Sequence, residues 1–124
     1  MFVLYVEDEP LIQQLVEVAL QEAGYGVLLA SNGREGIAAL ANRTDEIVGL
    51  ITDITLGDGP TGWEVARHAR ELNPGLPAVY VSGRDGHEWN ARGVPQSVLI
   101  TKPFAPMQIS VAISSLLNTT DPQS

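Results

Sequence analysis

Residues 2–10, FVLYVEDEP, decide the fold, because a wholly apolar run stops there at three acidic residues and a proline. A continuous apolar run of this kind is typical of a strand that is covered on both faces of a sheet. Pro10 favours the first turn of a helix, and Glu9 is expected to cap that helix or to complement its dipole. The segment therefore predicts a buried strand, an acidic turn and a helix, which form a first βα unit.

The same alternation continues along the chain. Short apolar runs predict four further strands, at residues 27–30, 47–53, 78–81 and 98–100. Apolar residues at helical spacing predict the buried faces of the first two helices. In the first helix these are Leu11, Ile12, Leu15, Val16, Ala19, Leu20 and Ala23, and in the second they are Ile37, Ala38, Leu40 and Ala41. Capping residues or proline mark the later helix starts, at Asn32, Thr61 and Pro106.

Between the fourth and fifth strands the helical pattern weakens. Residues 83–95 contain three glycines and a proline, and only residues 86–92 could form a helix, of about two turns. Parallel strands need crossover connections, which are right-handed. The chain therefore predicts an α/β fold: a doubly wound five-stranded parallel sheet with helices on both faces and a short or degenerate fourth helix.

The composition excludes several classes of protein. The chain has 124 residues, which suits one domain. Its net charge is −8, with Lys102 as its only lysine, and a field of that sign disfavours nucleic acid and anionic membranes as partners. The absence of cysteine excludes disulfides and thiolate metal sites, and no apolar run approaches the roughly 20 residues of a membrane span. We expect a cytoplasmic domain that binds neither nucleic acid nor membrane.

Polar side chains follow four of the predicted strands at the point where each strand ends. Glu7 and Asp8 follow the first strand, Asp53 the third, Ser82 the fourth and Lys102 the fifth. Ligands of open parallel sheets bind beyond the carboxyl ends of the strands. Three carboxylates at one edge repel one another, so a hard divalent cation, Mg²⁺ above all, is expected there. A carboxylate, a metal, a hydroxyl and an ammonium group are the parts that phosphoryl transfer needs.

Four motifs lie at these strand ends: VEDE at residues 6–9, ITDI at 51–54, VSG at 81–83 and KPF at 102–104. With these motifs in this order, the chain resembles the receiver domains of two-component response regulators over residues 2–117. That resemblance implies the flavodoxin-like strand order 2-1-3-4-5.

The resemblance also implies a role for each matching residue. Asp53 matches the aspartate that accepts a phosphoryl group from a histidine kinase or a histidine phosphotransfer protein. Ser82 matches the hydroxyl that turns toward this group, and Lys102 matches the lysine that binds one of its oxygens. The bond between Lys102 and Pro103 is usually cis in such domains.

A magnesium site is implied in the same way. Asp8 and Asp53 match the carboxylates that hold Mg²⁺, and the backbone carbonyl of Thr55 matches its main-chain ligand. Glu7 takes the neighbouring acidic position and is expected to act through water.

Three features depart from the family pattern. Leu99 stands at the position of the switch aromatic, three residues before Lys102, and has no hydroxyl to reposition. The loop after Asp53 has a glycine where the common form has proline, together with an extra residue. The short fourth helix alters the face that usually signals and dimerises, so we expect a monomer or a weak homodimer.

The main hypothesis is a phosphorylation-controlled signalling receiver at residues 1–118, followed by a polar tail at 119–124. Only seven residues follow Leu117, so no output domain is expected. The chain would take part only in its own phosphorylation and dephosphorylation, and would not be an enzyme. Its output would be a surface that an unidentified downstream protein reads, or a role as a phosphate relay.

Three alternatives remain open. A magnesium-dependent aspartyl-phosphate phosphohydrolase, similar to haloacid dehalogenase-like phosphatases, would need an aspartate two residues after the nucleophile, where Thr55 stands. A flavodoxin relative would need a hydroxyl-rich phosphate loop at residues 7–9, which are acidic. A degenerate receiver that binds partners without phosphorylation is kept open by Leu99.

Overall fold

A computed structural model describes residues 1–83 and 85–119 of the chain. Its parallel sheet has the strand order β2-β1-β3-β4-β5, with β1 (Phe2–Val6), β2 (Gly26–Ala30), β3 (Ile47–Asp53), β4 (Ala78–Ser82) and β5 (Ser97–Thr101). The α-helices of these residues are α1 (Pro10–Glu22), α2 (Gly33–Asn42), α3 (Gly62–Leu72), α4 (Trp89–Arg92) and α5 (Pro106–Thr119). Short 3-10 turns cover Thr44–Glu46 and Asp85–Glu88. The predicted fold class and the short fourth helix are confirmed.

The starts of α2 and α3 are capped as the sequence predicts. Asn32 Oδ1 accepts a hydrogen bond from the Glu35 N–H at 2.8 Å, and Glu35 Oε1 accepts one from the Ser31 N–H at 3.0 Å. Thr61 Oγ1 accepts a hydrogen bond from the Glu64 N–H at 3.3 Å. These side chains satisfy N–H groups that have no partner within the first turn of a helix.

At the start of α1, the expectation that the Glu9 side chain caps the helix is wrong, while its alternative role of complementing the helix dipole stays a prediction. Pro10 occupies the first helical position as predicted, but the side chain of Glu9 at the N-cap makes no capping hydrogen bond. The Glu9 N–H instead donates to the carboxylate of Glu7 at 3.1 Å. The first turn of α1 is therefore tied to the end of β1 through the backbone of Glu9.

Different helices cover the two faces of the sheet. α1 and α5 cover one face, where Val16, Leu20, Ile109 and Ile113 are fully buried. α2 and α3 cover the other face, where Trp63 is the largest buried side chain. Burying one side chain of this size stabilises the fold by roughly 1.5–3 kcal/mol. These two cores hold the strand ends in fixed positions.

The buried stripe of α1 is narrower than predicted. Leu11 and Leu15 are 75% and 60% exposed, whereas Val16 of the same predicted face is fully buried. Ala38 and Ala41 of α2 are exposed as well. A helical period shows which residues share a stripe, but the neighbouring surface decides how much of the stripe is covered.

The β4–β5 connection, which we define as the described residues of the range 83–96, is held to the sheet by side-chain contacts. The Val94 N–H donates a hydrogen bond to the Tyr80 hydroxyl at 3.0 Å, and Trp89 Nε1 donates one to Ser97 Oγ at 2.9 Å. α4 contains only four residues, so it has few backbone hydrogen bonds of its own. The side chains therefore replace the stabilisation that a longer helix would supply.

The C-terminal helix extends slightly beyond the predicted domain boundary at residue 118. α5 continues to Thr119, and the rest of the predicted tail, residues 120–124, lies outside the described residues. No helix in the described part of the chain has both the length and the apolar character that crossing a membrane requires.

Candidate functional site

Four strand ends bring five of the predicted site residues together at one edge of the sheet. β1 leads into Glu7 and Asp8, β3 ends at Asp53, β4 ends at Ser82, and β5 is followed by Lys102. We call these five residues the carboxyl edge. β3 lies between β1 and β4 in the sheet, and the Lys102 N–H donates to the Ser82 carbonyl at 2.9 Å. Strand order therefore makes spatial neighbours of residues that are far apart in the chain.

A partly buried ion pair joins the ends of β3 and β5. Lys102 Nζ lies 2.8 Å from Asp53 Oδ2, with side chains that are 27% and 5% exposed. Burial raises the pKa of the Asp53 carboxyl, and the hydrogen bond and charge of Lys102 oppose that rise. Burial lowers the pKa of Lys102, but contact with Asp53 outweighs it and leaves this pKa above its usual value. Lys102 is therefore charged at neutral pH.

Glu7 is fully buried, and its polar atoms are engaged from several sides. Its N–H donates to the Ala30 carbonyl at 3.0 Å, and its carbonyl accepts from Gln13 Nε2 at 2.5 Å. In the side chain, Oε1 accepts from the Tyr5 hydroxyl at 3.3 Å and Oε2 accepts from the Glu9 N–H at 3.1 Å. Contacts with β2 and α1 thus fix the backbone of Glu7, while Tyr5 of β1 and the Glu9 N–H hold its carboxylate.

Burial and neighbouring charge alter the ionisation of this part of the site. Burial raises the pKa of Glu7 to about 7, and the charge of Asp53 acts in the same direction. Burial and then the charge of Glu7 raise the pKa of Tyr5 above its usual range. The Tyr5 hydroxyl therefore keeps its proton and remains a hydrogen-bond donor.

The three carboxylates form a cluster with the character of a metal site. Glu7, Asp8 and Asp53 each offer an oxygen atom within 4.8 Å of the others, and Asp8 is exposed while the other two are buried. Hard oxygen ligands on a partly exposed cluster suit Mg²⁺, which keeps several of its waters. With Lys102 the ionised cluster carries two negative charges, which one divalent cation would neutralise. The residues present therefore fit such a cation.

A surface pocket of about 380 Å³ opens at this cluster. It is lined by Asp8, Glu9, Asp53, Thr55, Gly83 and Lys102. Glu7 and Ser82, which are 0% and 2% exposed, are not among these lining residues. Four of the predicted site residues thus line the pocket, and two do not.

The loop between β3 and α3 forms one side of the pocket. The Thr55 N–H donates to Asp53 Oδ1 at 3.4 Å, and Gly57 and Gly59 adopt left-handed backbone conformations with φ of 73° and 93°. Gly62 closes the loop so tightly that a Cβ there would lie 2.1 Å from the Asp53 carbonyl oxygen. A glycine is therefore required at residue 62 to keep α3 against the end of β3.

Leu99 of β5 occupies the position where the family pattern has the switch aromatic. Leu99 pairs in register with Tyr80 of β4. It is partly buried and packs against the core that contains Tyr80 and Trp63. The ring of Tyr80 lies 4.8 Å from that of Trp63, between their centroids. An aromatic residue is thus present on β4 and not at residue 99. The peptide bond between Lys102 and Pro103 is cis, as predicted.

Sequence reasoning missed two residues that support the acidic turn. It assigns Tyr5 only to an apolar strand and Gln13 only to a helix, whereas both contact Glu7. Tyr5 could have been identified from its place two residues before Glu7, because alternate residues share one face of a strand. Gln13 has no comparable signal, because its contact depends on how α1 packs.

The chain matches the family described as the response regulator receiver domain over residues 3–114. It is 31% identical over 120 residues to the probable transcriptional regulatory protein TcrX of Mycobacterium tuberculosis, covering 95% of this chain and 50% of that protein. It is 32% identical over 117 residues to the transcriptional regulatory protein TrcR of the same organism, covering 93% and 44%. The chain thus spans about half the length of these curated relatives.

Solved structures of similar proteins share the architecture. A response regulator receiver protein from Sinorhizobium medicae has a TM-score of 0.93 and 39% identity, covering 98% of this chain and 97% of that one. A CheY-like receiver domain protein from Methanospirillum hungatei has a TM-score of 0.83 and 25% identity, with coverage of 98% and 97%. The similarity extends through the strands that form the carboxyl edge.

Proposed function

The chain belongs to the response regulator receiver domain family, and we propose that its Asp53 accepts a phosphoryl group from a histidine kinase or a histidine phosphotransfer protein. The observation that carries the proposal is the 2.8 Å contact between Lys102 Nζ and Asp53 Oδ2, at a pocket that Asp8 also lines. This contact sets a carboxylate nucleophile beside a fixed positive charge, which favours the transfer of a negatively charged group.

The proposed step begins when an Asp53 oxygen attacks the phosphorus atom of a phosphohistidine. A P–O bond to Asp53 forms, the P–N bond breaks, and the imidazole leaves with the electron pair and is protonated. Oδ1 is the more available nucleophile, because its contact with the Thr55 N–H is 3.4 Å long while Lys102 holds Oδ2 at 2.8 Å. Lys102 then faces the negative charge of the transferred group.

Receiver domains generally bind Mg²⁺ at an acidic cluster, and this chain has such a cluster. The carboxylates of Asp8 and Asp53 and the carbonyl of Thr55 would hold the ion, with Glu7 behind them acting through water. When bound, Mg²⁺ supplies positive charge that neutralises the phosphoryl oxygens. The chain's own residues supply the nucleophile, the ammonium group and the fixed arrangement of the carboxylates.

The protein is proposed to act in signalling and not as an enzyme on other phosphate esters. Thr55, two residues after Asp53, offers a hydroxyl where a phosphohydrolase of this chemistry would need a carboxylic acid to protonate the leaving alcohol. Phosphorylation would instead shift the balance between two conformations of a surface that a partner protein reads.

The test is phosphorylation by a small donor. The full chain is incubated with Mg²⁺ and acetyl phosphate, and its intact mass is compared with that of Asp53→Asn. A matched control is Asp58→Asn, which removes an exposed acid from the same loop. We expect one phosphoryl adduct on the parent and on Asp58→Asn, and none on Asp53→Asn.

Two other outcomes would contradict the proposal. No adduct on the parent would favour a receiver that binds partners without phosphorylation. Rapid turnover of unrelated phosphate esters, lost in Asp53→Asn, would favour a phosphohydrolase.

A further inference from the structure

Tyr5 is a buried residue that the proposed phosphoryl transfer does not use. It lies in β1, its side chain is fully buried, and its ring packs in the core between the sheet and helices α1 and α5. Its hydroxyl nevertheless points to the polar end of the strand, where it contacts Glu7 Oε1 at 3.3 Å. Tyr5 is therefore a link between the apolar core and the acidic cluster.

The surroundings of Glu7 show why such a link is needed. A carboxylate that is fully buried loses its hydration and must be held by protein donors. The Glu9 N–H donates to Oε2, and the Tyr5 hydroxyl donates to Oε1. Among the described residues, no buried side-chain oxygen or nitrogen lacks a hydrogen-bond partner. Each oxygen of this carboxylate thus has a donor from a different part of the βα turn.

The two donors differ in how rigidly they are placed. The Glu9 N–H belongs to the turn itself and moves with it. The Tyr5 ring is packed in a core where side chains have little freedom to rotate, so its hydroxyl is a fixed point. Tyr5 lies in β1, and Glu7 is the first residue after that strand; the 3.3 Å contact brings their two side chains together at the strand end.

We propose that Tyr5 is a positioning residue of the divalent-cation site: its hydroxyl fixes the Glu7 carboxylate beneath Asp8 and Asp53, so that the three carboxylates are arranged before the cation arrives. The inference rests on the proposed function, because it assigns a role within the same site. Mutation of a residue that orients a metal ligand from behind typically weakens metal binding or activity by roughly 10- to 100-fold.

A simpler interpretation is that a buried tyrosine has merely found a nearby acceptor. All three tyrosines of the chain make a hydroxyl contact, since Tyr25 lies 2.7 Å from Ser114 Oγ and Tyr80 accepts from the Val94 N–H at 3.0 Å. Neither of those contacts involves an acidic residue. Tyr25→Phe and Tyr80→Phe are therefore matched controls, because each removes one hydroxyl and keeps the ring.

The main measurement is the binding of Mg²⁺ to the metal-free full chain by isothermal titration calorimetry at one fixed pH. We expect Tyr5→Phe to weaken Mg²⁺ binding by roughly tenfold, the lower end of the usual range, because the hydrogen bond is long. We expect Tyr25→Phe and Tyr80→Phe to bind Mg²⁺ as the parent does. Equal affinity of Tyr5→Phe and the parent would overturn the proposal.

A double-mutant cycle shows whether Tyr5 acts through Glu7. In a Glu7→Gln background, Tyr5→Phe should cause no further loss of affinity, because the group that it positions has been changed. An undiminished loss in that background would overturn the proposed route and would favour a general effect on packing. If the parent itself binds no Mg²⁺, the proposed function fails as well; if only the Tyr5 comparison fails, the proposed function stands.

A spectroscopic measurement keeps the proposal testable even if Tyr5→Phe does not fold. Tyrosine labelled with carbon-13 at Cζ gives one NMR signal for each of the three rings, and Tyr25→Phe and Tyr80→Phe identify two of them by loss. The remaining signal, from Tyr5, should move as Mg²⁺ is added, while the other two stay in place. A stationary Tyr5 signal at Mg²⁺ saturation would contradict the inference.

Discussion

The carboxyl edge and the β4–β5 connection meet at the end of β4 but are built in different ways. The carboxyl edge takes charged side chains from separate strands and brings them within hydrogen-bond distance, as in the 2.8 Å contact of Lys102 with Asp53. The β4–β5 connection is one local segment that contains a 3-10 turn and the four-residue helix α4. Side chains hold α4 in place, as when the Arg92 guanidinium lies 5.7 Å from the centre of the Trp63 ring.

The difference shows which features each region needs. At the carboxyl edge, burial raises the pKa values of both Glu7 and Asp53, and neighbouring charges act on both carboxyls as well. In the β4–β5 connection, single contacts act separately, and each is worth about 1 kcal/mol. The carboxyl edge therefore depends on interactions between groups from separate strands, whereas the connection depends on individual local contacts.

The largest expected effect comes from breaking the ion pair of the carboxyl edge. Lys102→Ala removes the positive charge that faces the transferred group, so we expect phosphorylation by acetyl phosphate to be roughly a hundredfold slower. The rate is measured by intact mass against time. The control is Arg34→Ala, which removes a guanidinium beside Gly59 and should change the rate by no more than about twofold. Equal slowing in both variants would show that net charge, and not this contact, sets the rate.

The next effect tests the close approach of α3 to the end of β3. Gly62→Ala places a Cβ 2.1 Å from the Asp53 carbonyl oxygen, and we expect a loss of more than about 3 kcal/mol in the free energy of unfolding. Gly75→Ala is the control, because its nearest neighbour would be Asn73 Oδ1 at 3.9 Å. Urea unfolding measures the free energy of unfolding of both variants. Similar losses in the two would contradict the requirement for a glycine at residue 62.

The third effect is the pH dependence of stability in metal-free protein. The pKa of Glu7 is about 7 in the folded chain against an ordinary value of 4.5, so the folded state retains a proton between these pH values. The stabilisation from that proton is complete below pH 4.5 and is lost as the pH rises to 7. As the pH rises from 4.5 to 7, the parent should lose about 2 to 3 kcal/mol more of its free energy of unfolding than Glu7→Gln does.

Urea unfolding in a chelating buffer at several pH values measures this difference. Saturating Mg²⁺ should reduce the decrease in the parent's free energy of unfolding with rising pH, because the cation favours the ionised carboxylate. Parallel stability curves for Glu7→Gln and the parent would show that Glu7 does not titrate in this range.

The smallest effect concerns the β4–β5 connection. Tyr80→Phe leaves the Val94 N–H without its hydroxyl acceptor, and we expect a loss of about 1 to 2 kcal/mol in the free energy of unfolding. Amide hydrogen exchange at Val94 should be faster, while the phosphorylation rate should match that of the parent. A slower phosphorylation rate would show that the two regions are more strongly coupled than their contacts indicate.

Much of the carboxyl edge could be predicted from local patterns. Apolar runs and capping residues locate the strand ends, and parallel strands that end at one edge bring Asp8, Asp53 and Lys102 together. Which apolar residues of α1 are buried could not be predicted, because Leu11 and Leu15 satisfy the helical period equally well whether exposed or buried. The contact of Gln13 with Glu7 also depends on packing between elements.

The sequence by itself determined the order of the βα units and the residue type at each strand end, because hydrophobic period and helix capping are local properties of the chain. Only the tertiary structure decided which of those residues line the pocket and which do not. Glu7 and Ser82 are buried while Asp8 is exposed, and this follows from how the helices cover the sheet. The contact of Tyr5 with Glu7 was decided in the same way, because a hydrogen bond requires a distance that no spacing along the chain specifies.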